Sequence, residues 1–162
     1  MQPVLIFQLL ILVAVANAIP VFAKKILGRA LSWPLDGGAV FADGQPLLGA
    51  SKTIRGVALS VLVTPLAAVL IGLSGQIGLV VALSAMAGDL ASSFVKRRMG
   101  LPPSSMAIGL DQIPEALLPL LTVRLLLPVT IVEVLVGTAI FFAGSLMVSR
   151  IFFALGVRDE PY

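Results

Sequence analysis

The chain contains no cysteine and no histidine, and only 8 acidic residues among 162. Without cysteine there are no disulfides, thiolate nucleophiles or Cys-type zinc sites, and without histidine there is no imidazole to serve as a general base. Charged residues make up 12% of the chain, well below the roughly 25% of an average soluble domain. So few charges cannot solvate a soluble fold in which 59% of residues are hydrophobic and the mean hydropathy is +1.10. Any chemistry must rest on carboxylates, hydroxyls, Lys, Arg or the backbone.

What is present is a succession of apolar runs at 4–23, 56–73, 77–95, 113–127 and 129–155. Several approach the roughly 20 residues that carry a helix across about 30 Å of hydrocarbon. They predict an all-α, polytopic transmembrane bundle of about five helices, a single domain over residues 1–162. Ala16-Asn17-Ala18 has the small residues of a secretory cleavage site, but no Lys or Arg precedes the run and Lys24-Lys25 follow it. The run therefore reads as an uncleaved first helix with the N-terminus outside.

Between the runs lie two polar loops, about 24–55 and 96–112. The first is too rich in breakers for a span, with Gly37, Gly38, Gly44, Gly49, Pro34 and Pro46. The second opens with Lys96-Arg97-Arg98 and carries Pro102, Pro103, Ser104 and Ser105. Pro114 falls in the first turn of the fourth run, where proline is tolerated, and Pro128 ends that run. The fifth run closes at Arg158-Asp159-Glu160, with Arg150 able to snorkel to the same side. Net charge is +3, and of the 11 Lys and Arg only Arg124 departs from a pattern that puts both loops and the C-terminus in the cytoplasm. Two loops on one face can share a site open to cytoplasmic solutes and inner-leaflet headgroups.

Asp89 lies inside the third run, roughly 9 Å from its basic end at about 1.5 Å per residue. A charge near a helix centre costs about 2.5 to 3.5 kcal/mol, so Asp89 is expected to face the interior and meet a cation. Ser92, Ser93 and Lys96 share its helix face, and Lys96 or Arg124 would serve as a structural partner. Asp111 and Glu115 flank the start of the fourth run, where both favour a helix N-terminus. Together with Asp89 they form a hard-oxygen set of the kind Mg²⁺ prefers. Lys52 and Arg55 follow a glycine-rich segment and lead into a helix N-terminus, whose free N–H groups add positive potential for a phosphate. The spacing Gly49-x-x-Lys52-Thr53 is too short for a Walker A loop. Arg97 and Arg98 read as charge attracting anionic lipid, and Glu133 with Arg124 as a structural pair near the outer side. A small transporter or ion-pathway subunit using Asp89 is the alternative. It would need polar residues at mid-depth on several helices, whereas the polarity gathers at one face.

Four stretches carry a resemblance when taken together: Asp36-Gly37-Gly38-Ala39-Val40-Phe41-Ala42-Asp43-Gly44, Leu48-Gly49-Ala50-Ser51-Lys52-Thr53-Ile54-Arg55-Gly56, Gly88-Asp89 through Ser93-Phe94-Val95-Lys96-Arg97-Arg98, and Asp111-Gln112. In order and spacing the chain resembles the CDP-archaeol synthase family, a branch of the CTP-dependent phosphatidate cytidylyltransferases. The resemblance implies a five-helix enzyme that uses CTP and Mg²⁺ to turn an inner-leaflet lipid phosphate into a CDP-lipid, releasing pyrophosphate. It implies catalytic roles for Asp89, Asp111, Lys96 and Lys52, and metal ligation by Asp89, Asp111 and Glu115. Substrate contact would fall to Asp36, Gly38, Asp43, Gly44, Lys52, Thr53, Arg55, Gly88, Ser92, Ser93, Arg97 and Gln112. The expected setting is the cytoplasmic membrane with the site facing the cytoplasm. No nucleic-acid partner is expected, and a homodimer is a possible assembly. Members tend to carry an acidic residue three positions after the Asp of Asp-Gln, where this chain has Pro114 followed by Glu115. Its 101–105 loop also lacks their basic, glycine-containing character.

Overall fold

A computed structural model describes residues 2–156, so the expected end at Arg158-Asp159-Glu160 lies outside the described residues. Its helices are α1 (Pro3–Leu27), α2 (Ile54–Leu70), α3 (Gly75–Arg98), α4 (Gln112–Val123) and α5 (Ile131–Ala154). Their starts follow from local chemistry. Pro3 opens α1, the Thr53 hydroxyl accepts from the Gly56 N–H at the start of α2, and Ser74 accepts from Ile77 at the start of α3. Thr130 and Glu133 form a reciprocal capping box on α5. Three spans, α1, α3 and residues 131–151 of α5, are long and apolar enough to cross a membrane, while α2 and α4 are shorter apolar helices.

Several ends differ from the sequence expectation. α1 continues through Lys24-Lys25 to Leu27, and α3 takes in Lys96, Arg97 and Arg98, because Lys and Arg are good helix formers and suit a helix C-terminus. α4 stops at Val123 rather than 127, and the chain turns over 124–127 before Pro128. The residue before a proline is biased away from helix, and proline itself has no N–H to donate.

α3 is the central helix. Half of its apolar window is buried, against 28% for α1 and for α5, and it packs on α1, α2 and α4 while α5 rests on α4 and α1. Leu9, Leu12 and Val13 of α1, Val81 of α3, Leu120 and Val123 of α4 and Val134 of α5 share one core. Where helices come closest, side chains vanish: a Cβ on Gly78 would lie 2.6 Å from the Pro65 Cα. Pro20 inside α1 cannot donate to the carbonyl of Ala16. The Ser60 hydroxyl of α2 donates to that carbonyl instead, at 2.9 Å. Outward faces are apolar, with Leu62, Leu66 and Leu70 on α2 and Leu135, Ile140 and Met147 on α5 exposed, as contact with lipid tails requires.

The two ends of the bundle differ in character. At one end the Gln2 N–H donates to Glu133 Oε1 at 2.5 Å, and Thr130 N and Oγ1 donate to Glu133 Oε2 at 2.8 Å. Glu133 thus caps its own helix, a local role that replaces the expected pairing with Arg124. At the other end Lys25 donates to the Gly156 carbonyl, and both polar loops gather there, loop 1 over 28–53 and loop 2 over 99–111. Loop 1 is more ordered than its turn signals suggest, with antiparallel bridges pairing Pro34 with Thr53 and Val40 with Pro46.

Candidate active site

Loop 1 is built around Asp36. Its Oδ1 accepts from Gly38 N at 3.0 Å, and its Oδ2 accepts from Leu48 N at 2.9 Å and Gly49 N at 3.2 Å. Burial pushes this carboxyl up, but the backbone donors outweigh it and hold the group below its usual value of 3.8. Gly38 and Gly44 adopt φ of 80° and 78°, the left-handed region that glycine enters without strain. Asp43 accepts from Gln45 N and pairs with Arg98 Nε at 2.8 Å. The Arg98 guanidinium sits 4.7 Å from the Phe41 ring centroid and 4.8 Å from that of Phe94, fastening loop 1 to α3. Arg55 is buried and donates to the carbonyls of Ala30 and Gly28, clamping the exit of α1 to the start of α2.

These fastenings set Lys52 against α3. Its Nζ lies 2.5 Å from Asp89 Oδ1, so the cation that Asp89 requires comes from loop 1 rather than from Lys96 or Arg124. Lys96 pairs with Asp111 at 2.6 Å and also donates to the Ser105 carbonyl at 2.9 Å. The second oxygen of Asp111 accepts from Ala107 N at 2.8 Å, and Gln112 Oε1 accepts from Gly109 N, so the foot of α4 organises loop 2. Asp111 bonds backward into this loop and makes no side-chain cap on α4. Ser92 donates to the Asp89 carbonyl within α3, and Ser93 is buried beside it.

Glu115 completes the cluster. Its carboxyl faces that of Asp89 closely enough for the two to hydrogen-bond, with Lys52 and Asp111 in electrostatic reach. Gly88 makes this approach possible, since α3 and α4 touch there backbone to backbone. Among the described residues, no three carboxylates are gathered tightly enough to hold a metal ion as arranged. Lysine ammonium groups stand beside Asp89 and Asp111 instead. Mg²⁺ commonly takes only one or two carboxylates together with substrate phosphates, and the adjacent pair Asp89 and Glu115 fits that requirement.

Sequence reasoning missed the partners contributed by loop 2. Ser105 and Ala107 act through backbone groups, which no residue pattern announces, and Gly49 of loop 1 lies against Arg97 of α3, far apart in sequence.

Two half-buried Lys–Asp pairs and an acidic neighbour, all at one end of a helical membrane bundle, suit the handling of phosphates beside lipid. A family model described as CarS-like: CDP-archaeol synthase matches residues 4–162. The chain belongs to the CDP-archaeol synthase family. A CDP-archaeol synthase from Thermofilum pendens is 34% identical over 154 residues, covering 91% of this chain and 76% of the relative. One from Pyrobaculum aerophilum is 29% identical over 153 residues, covering 91% and 92%. A solved structure of an intramembrane enzyme for archaeal membrane lipid biosynthesis superimposes with a TM-score of 0.69 at 33% identity, covering 87% of this chain and 90% of that one. As a member of the CDP-archaeol synthase family, the chain is a multi-pass membrane enzyme, a cytidylyltransferase of lipid biosynthesis. The transporter alternative is set aside on this ground.

Proposed function

We propose that the protein transfers the cytidylyl group of CTP onto the phosphate of a membrane lipid, giving a CDP-lipid and pyrophosphate, in a Mg²⁺-dependent reaction. The lipid class is the archaeol type that the relatives' name gives. The observation that carries this reading is the convergence of Lys52–Asp89 and Lys96–Asp111 with Glu115 at one end of the bundle. Clustering of basic residues at that end supports a cytoplasmic site in the cytoplasmic membrane.

A phosphate oxygen of the lipid attacks the α-phosphorus of CTP, and the bond from that phosphorus to the β-bridging oxygen breaks as pyrophosphate leaves. The attacking phosphate is already an anion near neutral pH, so no general base is needed and the missing histidine is no obstacle. Lys52 and Lys96 neutralise the phosphates, and Asp89 and Glu115, with Asp111 in reach, are the residues that would hold Mg²⁺. Held there, the ion would supply charge stabilisation for the leaving group. Loop 1, fixed by Asp36, Arg55 and Arg98, keeps Lys52 aligned, and alignment with charge neutralisation accounts for catalysis.

The test is purified protein with labelled CTP, Mg²⁺ and a panel of lipid phosphates. CDP-lipid and pyrophosphate are expected in equal amounts. No CTP-dependent product with any lipid phosphate would overturn the proposal.

A further inference from the structure

Residues 26–33 lead off the end of α1, and their backbone is tied down repeatedly. The Arg55 guanidinium of α2 holds the carbonyls of Gly28 and Ala30, the Ser32 hydroxyl donates to the Arg29 carbonyl at 2.8 Å, and the Ile54 N–H donates to the Trp33 carbonyl at 3.1 Å. Apolar side chains nevertheless stand out from this fixed segment. Ile26 is 78% exposed, Leu31 64% and Trp33 70%, and Ile54, where the segment meets α2, is exposed as well. Leu31 also holds a φ of 52°, a left-handed conformation that costs leucine and suits glycine or asparagine. Water offsets neither the strain nor the exposure, whereas an apolar neighbour offsets both.

The place of the segment says what that neighbour is. Ile19, Phe22, Ile26 and Leu27 of α1 with Leu59 and Val63 of α2 line a wholly apolar groove on the outside of the bundle, along a helix long and apolar enough to span a membrane. Residues 28–33 cross the loop end of this groove, because they leave α1 at Leu27 and are tied to α2 at Ile54 and Arg55. Beyond lipid tails comes the headgroup layer, where tryptophan concentrates because its ring is apolar and its N–H is wet. Lys24, Lys25 and Arg29 are exposed on the same stretch, and cations at that level favour anionic headgroups.

We propose that residues 26–33 form a rigid shelf seated in the anionic headgroup layer of the surrounding bilayer, with Leu31 and Trp33 against the uppermost tail carbons and Arg29 among the headgroups. Backbone joins this shelf to the site: the Leu35 N–H donates to the Lys52 carbonyl at 2.7 Å, and Pro34 bridges Thr53. The depth of the shelf therefore sets the depth of Lys52. Taking that depth as the level of a substrate lipid phosphate rests on the function proposed above. The shelf itself does not.

Trp33 is the single tryptophan, so its fluorescence reads the depth of the shelf directly. Wild type is reconstituted into phosphatidylcholine vesicles holding a minor fraction of lipid brominated either near the headgroup end or near the far end of its chain, and acrylamide on both sides serves as the aqueous quencher. Bromine near the headgroup end is expected to quench most, and acrylamide to quench several-fold less than it quenches free N-acetyltryptophanamide. Brominated phosphatidylglycerol should quench about twofold more than an equal fraction of brominated phosphatidylcholine, as enrichment at a cationic surface requires, and Arg29→Gln should bring the two together. Leu31→Asn suits the left-handed backbone better than leucine, so it should melt no lower than wild type in detergent while its quenching by bromine falls by about half. Acrylamide quenching as full as that of the free indole would overturn the shelf. So would a Trp33 shielded from acrylamide yet untouched by bromine, the result expected beneath a second copy or a protein partner. Equal quenching by the two headgroups in wild type, or undiminished quenching in Leu31→Asn, would also overturn it. None of these readings involves turnover, so a protein that shows them but makes no CDP-lipid would refute the function and leave the shelf standing.

Discussion

Gly88 of α3 and Pro114 of α4 meet with no side chain between them: a Cβ on Gly88 would lie 2.3 Å from the Pro114 carbonyl oxygen and 2.9 Å from Glu115 N. The obstacle is backbone, which cannot rotate aside as a side chain can. Gly88→Ala is therefore expected to push α4 outward, separate Glu115 from Asp89, abolish turnover and destabilise the fold by about 1 to 3 kcal/mol, the usual range for overpacking. Gly144→Ala is the control, since nothing lies within 4 Å of its new methyl. Thermal melts in detergent alongside turnover check both. Equal behaviour of the two variants would refute the close-contact argument.

Asp89→Asn and Glu115→Gln each replace a carboxyl by an amide of nearly the same bulk. Both should insert into the membrane normally yet lower Mg²⁺-dependent turnover by on the order of a hundredfold, the scale of losing one electrostatic stabiliser of the transition state. Activity is measured across a Mg²⁺ titration with insertion monitored in parallel. Wild-type turnover in Glu115→Gln would show that Glu115 is a helix-start residue and no more.

Lys52 and Arg98 are both cations at the loop end, but their surroundings separate their roles. Lys52 pairs with a site carboxylate, whereas Arg98 is held by Asp43, the Pro46 carbonyl and two aromatic rings. Lys52→Ala should weaken CTP binding about tenfold or more, as expected for a charge-assisted contact. Arg98→Ala should leave CTP affinity within about twofold and instead lower stability by roughly 0.5 to 2 kcal/mol through the lost cation–π contacts. Calorimetric CTP titration and melting curves distinguish the two. Matching losses of affinity would point to nonspecific surface charge.

The Asp36 carboxyl is held below its usual value by the backbone of its own loop. A group whose pKa is depressed on folding contributes stability that is fully present above the unfolded value of 3.8 and fades as pH falls through the lower folded value. Loop 1 should therefore loosen on acidification below that value, and Asp36→Asn should be looser at neutral pH with a flatter acid limb. Trp33, the single tryptophan, lies exposed on this loop, so its fluorescence reports the change. An unaltered acid limb in the Asn variant would remove Asp36 as the loop's anchor.

The helical membrane architecture was legible in the sequence because apolar runs and their basic ends follow directly from the solvation of a chain in lipid. Asp89 was legible for the same reason: a carboxylate at that depth demands a partner. The identity of the partner was not, because Lys52 reaches Asp89 only through the bridging of loop 1 between Pro34 and Thr53, a contact between segments 37 positions apart. Helix spacing favoured Lys96, which the fold turns toward Asp111. Arg55 reads as a phosphate ligand from its place at a helix start, and the sequence did not announce the clamping bonds the structure gives it or the capping bond it gives Thr53. The end of α4 was missed because hydrophobicity continues past Val123 while the backbone turns, and hydropathy does not see that turn.

The pairing of Lys52 with Asp89 also has a thermodynamic consequence. While each group neutralises the other, neither is fully available to an incoming ligand. An anion that draws Lys52 away leaves Asp89 in need of a cation, and a cation at Asp89 releases Lys52 for an anion. Each ligand thereby raises the affinity for the other, and by linkage the two enhancements must be equal. Under the proposed function, nucleotide and divalent ion would in this sense be mutual effectors, and neither alone is expected to bind with the strength that the two reach together.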